Sequence, residues 1–489
     1  MLCLTIPKAI PINVNSLAKL HVSNLKSWHY QVYHSQVLDF RKRNQARDYM
    51  QDLQVFHKNL ERRISRRAQN GGSSGHAELF GVELAPNQTY TFSGCKAAIL
   101  TWHGCQLEVS GDAESEYLGQ ETEYAVEWLN VHGMLETARD DAQMHSSEGG
   151  PRVLIVGPDF VGKSSLVRSL AGWAVTYGRT PTIVNLDPRE GLLTPPGSFT
   201  AVTVGSQLEV ENGFGISPIS GPTITPVKTP LVYHYPYSTP LEKPDVYKAL
   251  ITRTALSVTN KLEENSGAKQ SGLIIDTPGT LNDPKSNYDI ITHLVSEFSI
   301  TLILTLGSER LFNDMNRKFG QQSSEAIPVL RISKPGGAVE RDAAFMKQLQ
   351  NQQIRQYFFG TSKDSLNPHS HTYSFAELNI FRANSPSLAA SSSSMDMDDT
   401  DAPYASHADF ERMTPNMEML GRLVAIKFCS GSETDEFALR DSPVIGFAYV
   451  SEVDETKKRV RFLAPHPQRW GDRAVVWGGW PQAVTDLVG

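Results

Sequence analysis

One stretch of this 489-residue chain limits its folding more than any other. Arg152-Val153-Leu154-Ile155-Val156 is a short apolar run, and Gly157-Pro158-Asp159-Phe160-Val161-Gly162-Lys163-Ser164 follows it at once. Ser165-Leu166-Val167-Arg168-Ser169-Leu170 then continues with helical spacing. This is G-x-x-x-x-G-K-[ST] between a strand pattern and a helix pattern, the context in which that motif holds phosphate. Glycine lets the backbone curl so that successive N–H groups point inward at an anion. The helix that starts there adds the positive end of its dipole. Gly157, Asp159, Phe160, Val161, Gly162, Lys163, Ser164 and Ser165 are therefore the candidate nucleotide cradle. Lys163 is placed to neutralise the β- and γ-phosphates, and the Ser164 hydroxyl is placed to meet Mg²⁺.

The rest of residues 146–335 alternates strand and helix patterns, which predicts an α/β domain with a largely parallel sheet around the loop. Thr182-Ile183-Val184-Asn185-Leu186 ends in Asp187, and Gly272-Leu273-Ile274-Ile275 ends in Asp276-Thr277-Pro278-Gly279. In open parallel sheets the carboxyl ends of strands line the ligand crevice. Asp276 there can hold Mg²⁺, directly or through its water shell, and the Gly279 N–H can reach a terminal phosphate. Asp187 fits either a general base that accepts a hydroxyl proton or a cap for the Pro188-Arg189 turn. Arg310, Arg317 and Lys318 lie on one short basic helix from Glu309 to Phe319. They fit either a cation folded over the phosphates or a solvated face. Asp276-Thr277-Pro278-Gly279 also looks like a GTPase switch. No guanine-reading Asn-Lys-x-Asp follows it, which counts against GTP.

Composition adds bounds. Hydrophobic residues make up 40% and charged residues 20%, as in soluble globular proteins, and the length predicts two or three domains. A net charge of −7 excludes a polycation, so any nucleic-acid contact is local. Cys3, Cys95, Cys105 and Cys429 form no CxxC pair and read as free thiols. No apolar run approaches the ~18 residues of a membrane span, and Met1 to Val14 does not read as a secretory leader. A cytosolic or nuclear chain with no membrane contact is the expectation.

Three further regions flank the α/β domain. Residues 1–75 are atypical. Tyr49, Leu53, Phe56, Leu60 and Ile64 fall at helical spacing among many basic residues, which predicts a basic amphipathic helix from Arg41 to Gln69 and a hinge at Asn70–Gly75. Residues 76–145 hold short β-rich runs separated by turn residues, a small N-terminal β-domain followed by a helix over 125–143. Residues 336–489 alternate apolar and polar residues over 423–428, 444–450 and 459–463, which predicts a small C-terminal β-barrel or sandwich. Its Ser- and Asp-rich insert 384–407 cannot bury a core and is expected to be disordered.

The whole layout resembles the polynucleotide 5′-hydroxyl-kinase family, and within it the fungal-type ATP-binding subunits of the pre-mRNA cleavage and polyadenylation factor. The residues that carry the resemblance are Glu78-Leu79-Phe80-Gly81-Val82-Glu83-Leu84, Thr101-Trp102-His103-Gly104-Cys105, the phosphate loop and Thr229-Pro230-Leu231-Val232-Tyr233-His234-Tyr235. Ser308-Glu309-Arg310-Leu311-Phe312-Asn313, Ser333-Lys334-Pro335-Gly336-Gly337-Ala338-Val339-Glu340-Arg341 and Ile354-Arg355-Gln356-Tyr357-Phe358-Phe359-Gly360 complete it. The resemblance implies a nuclear protein bound to ATP and Mg²⁺. It implies partners too: the cleavage factor's scaffold subunit, which binds the RNA polymerase II tail, and other cleavage and polyadenylation subunits. Lys96 matches a family lysine that packs on the adenine side.

Active members phosphorylate RNA 5′-hydroxyls and read Asp-Val-Gly-Gln-Gly after the second strand, with the Asp as base. This chain reads Asp187-Pro188-Arg189-Glu190-Gly191. A second carboxylate at Glu190 is expected to repel an incoming phosphoryl group. Thr280 stands where active members carry a Trp that stacks the terminal base, a contact worth ~1–3 kcal/mol. Both departures resemble members that bind ATP without evident kinase chemistry. An active kinase, with RNA as partner, Asp187 as base and Arg310 or Arg317 as the cation over the phosphates, is the alternative.

Overall fold

A computed structural model describes residues 51–56, 62–66, 75–92, 95–111, 115–119, 123–145, 149–212, 230–282, 284–286, 288–321, 326–361, 365–384, 409–432, 435–467, 470–485 and 487. The expected hinge at Asn70–Gly75, apart from Gly75, and the expected disorder of 384–407, apart from Asn384, lie outside these residues.

The expected basic helix is corrected to strand wherever it is described. The N-terminal domain carries β1 (Gln51–Phe56), β2 (Arg62–Arg66), β3 (Glu78–Leu79), β4 (Val82–Glu83), β5 (Thr89–Phe92), β6 (Lys96–Thr101), β7 (Leu107–Ser110) and β8 (Ser115–Gly119). They form a five-stranded sheet in the order β4-β3-β6-β1-β8 and a three-stranded sheet in the order β5-β2-β7. Leu53 of β1 lies opposite Ile99 and Leu118, and Ile64 of β2 lies opposite Tyr90 and Val109. The i, i+3/i+4 spacing that suggests a helix coexists with a period-2 pattern at Leu53 and Val55, and long-range ladder pairing decides between them.

Helix α1 (Glu123–Met144) buries Tyr124, Trp128, Val131 and Leu135 and leads into the central domain. There β9 (Arg152–Val156), α2 (Lys163–Thr176), β10 (Thr182–Asn185), β11 (Ser198–Thr203), β12 (Leu231–His234), α3 (Pro244–Glu264), β13 (Leu273–Asp276), β14 (Leu302–Leu306), α4 (Glu309–Met315) and β15 (Val329–Ile332) build a seven-stranded sheet. Its order is β12-β11-β10-β13-β9-β14-β15. The run from β10 to β15 is parallel, as expected, and β11 and β12 extend it antiparallel. Val153 through Val156 are fully buried because both faces are covered. Val153 and Ile155 join a core shared with Leu79, Ile99 and Trp128 of the N-terminal side, while Leu154 and Val156 pack with Tyr247 and Leu250 of α3. That shared core fixes the N-terminal domain against the phosphate-loop helix.

Helix α5 (Ala343–Phe359), capped by the Asp342 side chain at 2.7 Å from the Phe345 N–H, leads to the C-terminal domain. The domain's strands are β16 (His369–Ser374), β17 (Asn379–Ala383), β18 (Phe410–Met413), β19 (Leu423–Ser430), β20 (Val444–Asp454), β21 (Arg459–Ala464) and β22 (Arg473–Trp477). They form one mostly antiparallel sheet in the order β16-β21-β20-β19-β22-β17-β18. Tyr357 and Phe358 of α5 are buried against Phe447 and Tyr449, and the Phe447 N–H donates to the Tyr357 hydroxyl at 3.0 Å. These contacts anchor the C-terminal end of α5, whose Phe345 and Gln353 line a cavity. No helix among the described residues is long and apolar enough to cross a membrane.

Candidate nucleotide site

The phosphate loop has the backbone its sequence demands. Phe160 (φ 59°) and Gly162 (φ 95°) are left-handed, which turns the chain back on itself before α2. Gly157 passes so close to β14 that a Cβ would stand 2.6 Å from the Leu306 carbonyl. Val161 is buried and packs beneath Gly307, so its side chain serves the loop's foundation. No side chain caps α2, so its first N–H groups are left for an anion. Lys163 is 7% exposed and donates from Nζ to the Pro158 carbonyl at 2.7 Å. Burial lowers its pKa, and the charges of Asp276, Asp187 and Asp159 oppose that shift. Ser164 is exposed and Ser165 half-buried at the mouth of a cavity of about 670 Å³.

The strand ends bring three carboxylates to this edge. Asp276 is buried beneath the loop, and among the described residues its Oδ1 has no hydrogen-bond partner. Burial pushes its pKa up to about 6, against the pull of Lys163 and the Ser164 hydroxyl. An orphaned buried carboxylate oxygen beside an exposed hydroxyl is the donor set a hard cation takes. This chemistry fits Mg²⁺ held by Asp276 and Ser164.

Asp187 and Asp159 are instead tied together by Arg189. Its guanidinium donates to Asp187 at 3.2 and 3.1 Å and to Asp159 at 3.0 and 2.5 Å, and the Arg189 N–H donates to Asp187 Oδ1 at 2.9 Å. These contacts hold the Arg189 pKa above its ordinary value despite burial, and they draw the Asp159 carboxyl down despite its own desolvation. Asp159 Oδ1 also accepts from the Gly279 N–H at 3.0 Å. The Gly279 N–H, aimed by sequence spacing at a terminal phosphate, is thus committed to Asp159. A Cβ at 279 would fall 2.2 Å from the same carboxylate oxygen.

Glu190 differs from its sequence reading in the same way. Its carboxylate pairs with the Arg341 guanidinium, with Nη1 at 3.2 Å and Nη2 donating to Oε1, so it is not a free repelling charge. Arg341 also lies over the Phe160 ring, 4.8 Å from its centroid. The segment around Arg189 is pinned from both sides. Asn185 donates to the Glu190 carbonyl at 2.8 Å, and Gln350 and Gln353 of α5 donate to the carbonyls of Arg189 and Gly191 at 3.1 and 3.2 Å.

Lys96 lines the cavity from the N-terminal domain, with Nζ 3.4 Å from the Glu340 carbonyl and 4.9 Å from the Phe345 ring centroid. Arg310 and Arg317 are each 77% exposed, share Asp314 at 3.9 and 2.9 Å, and do not line the cavity. Among the described residues the buried Thr280 hydroxyl finds no partner. Sequence reasoning passed over Arg189 and Arg341 as site residues. Adjacency to Asp187 was the one available signal for Arg189, and membership of the Ser333–Arg341 motif was the one for Arg341.

Comparison with known proteins follows the same division of the chain. The family described as "mRNA cleavage and polyadenylation factor CLP1 P-loop" matches residues 157–360. "N-terminal beta-sandwich domain of polyadenylation factor" matches residues 71–142, and "Pre-mRNA cleavage complex II protein Clp1" matches residues 366–482. An mRNA cleavage and polyadenylation factor CLP1 from Phaeosphaeria nodorum is 45% identical over 420 residues, covering 85% of this chain and 89% of the relative. One from Botryotinia fuckeliana is 43% identical over 419 residues, with the same coverage. A solved complex of Clp1p with Pcf11p residues 454–563 is similar at a TM-score of 0.76 and 26% identity, covering 88% of this chain and 95% of that one. A second Clp1p–Pcf11p structure, which concerns ATP loss in a glycine-to-arginine point mutant, has a TM-score of 0.75 at 25% identity and covers 88% and 96%.

Proposed function

The chain belongs to the family of mRNA cleavage and polyadenylation factors, and from that premise we propose that it is the ATP-binding subunit of a nuclear pre-mRNA 3′-end cleavage factor, with ATP held as part of its structure. The observation that carries the structural role of ATP is the state of Asp187. Three N–H donors of Arg189 engage its two oxygens, which leaves it poorly placed to take a proton from an attacking hydroxyl. The phosphate loop beside it keeps what holding a triphosphate requires. The free N–H groups at the start of α2 would bind phosphate oxygens, Lys163 would offset their charge, and Asp276 with Ser164 would hold Mg²⁺. Mg²⁺ bound there would offset phosphate charge. Lys96 closes the nucleoside side, and Arg341, tied to Glu190 and laid over Phe160, closes the loop side.

A ligand held in this way stabilises the fold without being consumed, by ~4 kcal/mol at a thousand times its Kd. A rigid central domain can then present a fixed surface to the cleavage factor's scaffold subunit, the partner class seen with the similar Clp1p structures. Domain boundaries near residues 145 and 335 follow from the same reading.

The test is transfer of label from ATP to a 5′-hydroxyl RNA oligonucleotide by the purified chain. No transfer is expected. Transfer that disappears in Asp187→Ala would establish the kinase reading instead.

A further inference from the structure

The cleft has a further cation that nothing above uses. Arg168 lies on α2 one turn beyond Ser164, on the same helix face, and both line the cavity. Its guanidinium stacks on the Phe80 ring, 4.6 Å from the centroid. Among the described residues no carboxylate pairs with it and no carbonyl accepts its N–H groups. Burial lowers its pKa to about 10, and the small opposing effect comes from Cys95. Arg189 and Arg341 on the same cavity wall are both ion-paired, whereas among the described residues Arg168, like the exposed Arg355, pairs with no carboxylate and lies beside an aromatic ring. Arg168 is half-buried, and a partly desolvated guanidinium gains from acceptors that a ligand supplies.

Phe80 is itself held in place for this contact. It forms a left-handed turn with Gly81 (φ 46° and 79°), and the turn is pressed onto α2. A Cβ on Gly81 would stand 2.6 Å from the Ser169 carbonyl, and one on Gly172 would stand 2.9 Å from the Gly81 carbonyl. The nearby carboxylate of Glu78 is already engaged by the indole N–H groups of Trp173 and Trp102 at 2.9 and 3.1 Å. Glu78 therefore does not answer Arg168.

We propose that Arg168, stacked on Phe80, is a nucleoside contact of this cleft, placing its planar N–H edge against the nucleoside's acceptors while the phosphate loop holds the triphosphate. The distances fit. Arg168 is five positions beyond Lys163, about 7.5 Å along the helix axis, and it lines the same cavity as Lys96. A guanidinium with one face on an aromatic ring and its edge free is suited to a planar base with ring nitrogens. The proposal rests on the phosphate loop binding a nucleotide, as proposed above.

The test uses the full chain, stripped of bound nucleotide, and two probes, ATP and inorganic tripolyphosphate, by titration calorimetry. Arg168→Ala is expected to weaken ATP by about tenfold or more and leave tripolyphosphate within about twofold. Arg168→Lys, which keeps charge but not the planar edge, is expected to recover less than half of the lost binding energy. Phe80→Leu keeps an apolar contact with α2 and is expected to show the same ATP-selective loss, smaller in size. Lys163→Ala is expected to weaken both probes. Equal weakening of both probes by Arg168→Ala would make the residue a domain tie only and overturn the proposal, as would an unchanged ATP affinity. A wild-type chain that binds neither probe would instead overturn the phosphate-loop reading.

Discussion

The phosphate loop and the segment after β10 share one sheet edge and treat charge in opposite ways. Around the loop, charge is left incomplete: α2 begins without a side-chain cap, and Asp276 keeps a buried oxygen with no partner. Around the segment, charge is closed internally: Arg189 bridges Asp187 and Asp159, and Glu190 is paired with Arg341. On the proposed reading the first region receives an anion and a cation. The second is built to be finished without either. A chain that needs only to hold ATP requires the first and has no use for a free base in the second.

Four substitutions break or sharpen that contrast, in falling order of effect. Lys163→Ala should abolish the stabilisation that saturating ATP and Mg²⁺ confer, ~4 kcal/mol in denaturant unfolding with and without nucleotide. Asp276→Asn should act through pH. The Asp276 pKa is raised in the folded chain to about 6 from an ordinary carboxyl value, so the folded state holds its proton longer than the unfolded state. Stability of the nucleotide-free chain should therefore fall as pH rises from about 4 through about 6, by about 3 kcal/mol. Asp276→Asn should remove that slope, so that at pH 7.5 the nucleotide-free variant is the more stable and at pH 4 the gain is gone. Urea unfolding across this range checks it, and a slope that survives the substitution places the titration elsewhere.

Arg341→Ala breaks a half-buried pair worth about 1 kcal/mol and should speed ATP dissociation by about fivefold in a chase experiment. Arg310→Ala removes an exposed side chain outside the cavity and should leave ATP affinity within about twofold. An effect as large as that of Arg341→Ala would mean that α4 closes over the site.

The two regions also differ in how much of them the sequence disclosed. The loop was legible because its chemistry is local. Gly157, Gly162, Lys163 and Ser164 lie within one turn of chain, and backbone curvature dictates their types. Asp276 was legible because strand carboxyl ends line such crevices. The paired segment was not. Arg189 reaches Asp159 across 30 residues, and Glu190 reaches Arg341 across 151. No spacing rule announces such partners, so Glu190 read as a repelling charge. The N-terminal strands failed for a similar reason. Leu53, Phe56, Leu60 and Ile64 satisfy a helical period, and only pairing of β1 with β6 and of β2 with β5 and β7 selects strand. In β11 the run Ser198-Phe199-Thr200-Ala201-Val202-Thr203 lies just beyond two prolines and a glycine, and it becomes a strand by pairing back onto β10.

Extraction of nucleotide from the purified chain tests the account most directly. Near-stoichiometric intact ATP, retained through prolonged dialysis and lost in Lys163→Ala, is the result predicted. An empty chain, or one whose bound nucleotide is ADP produced by turnover, would contradict it.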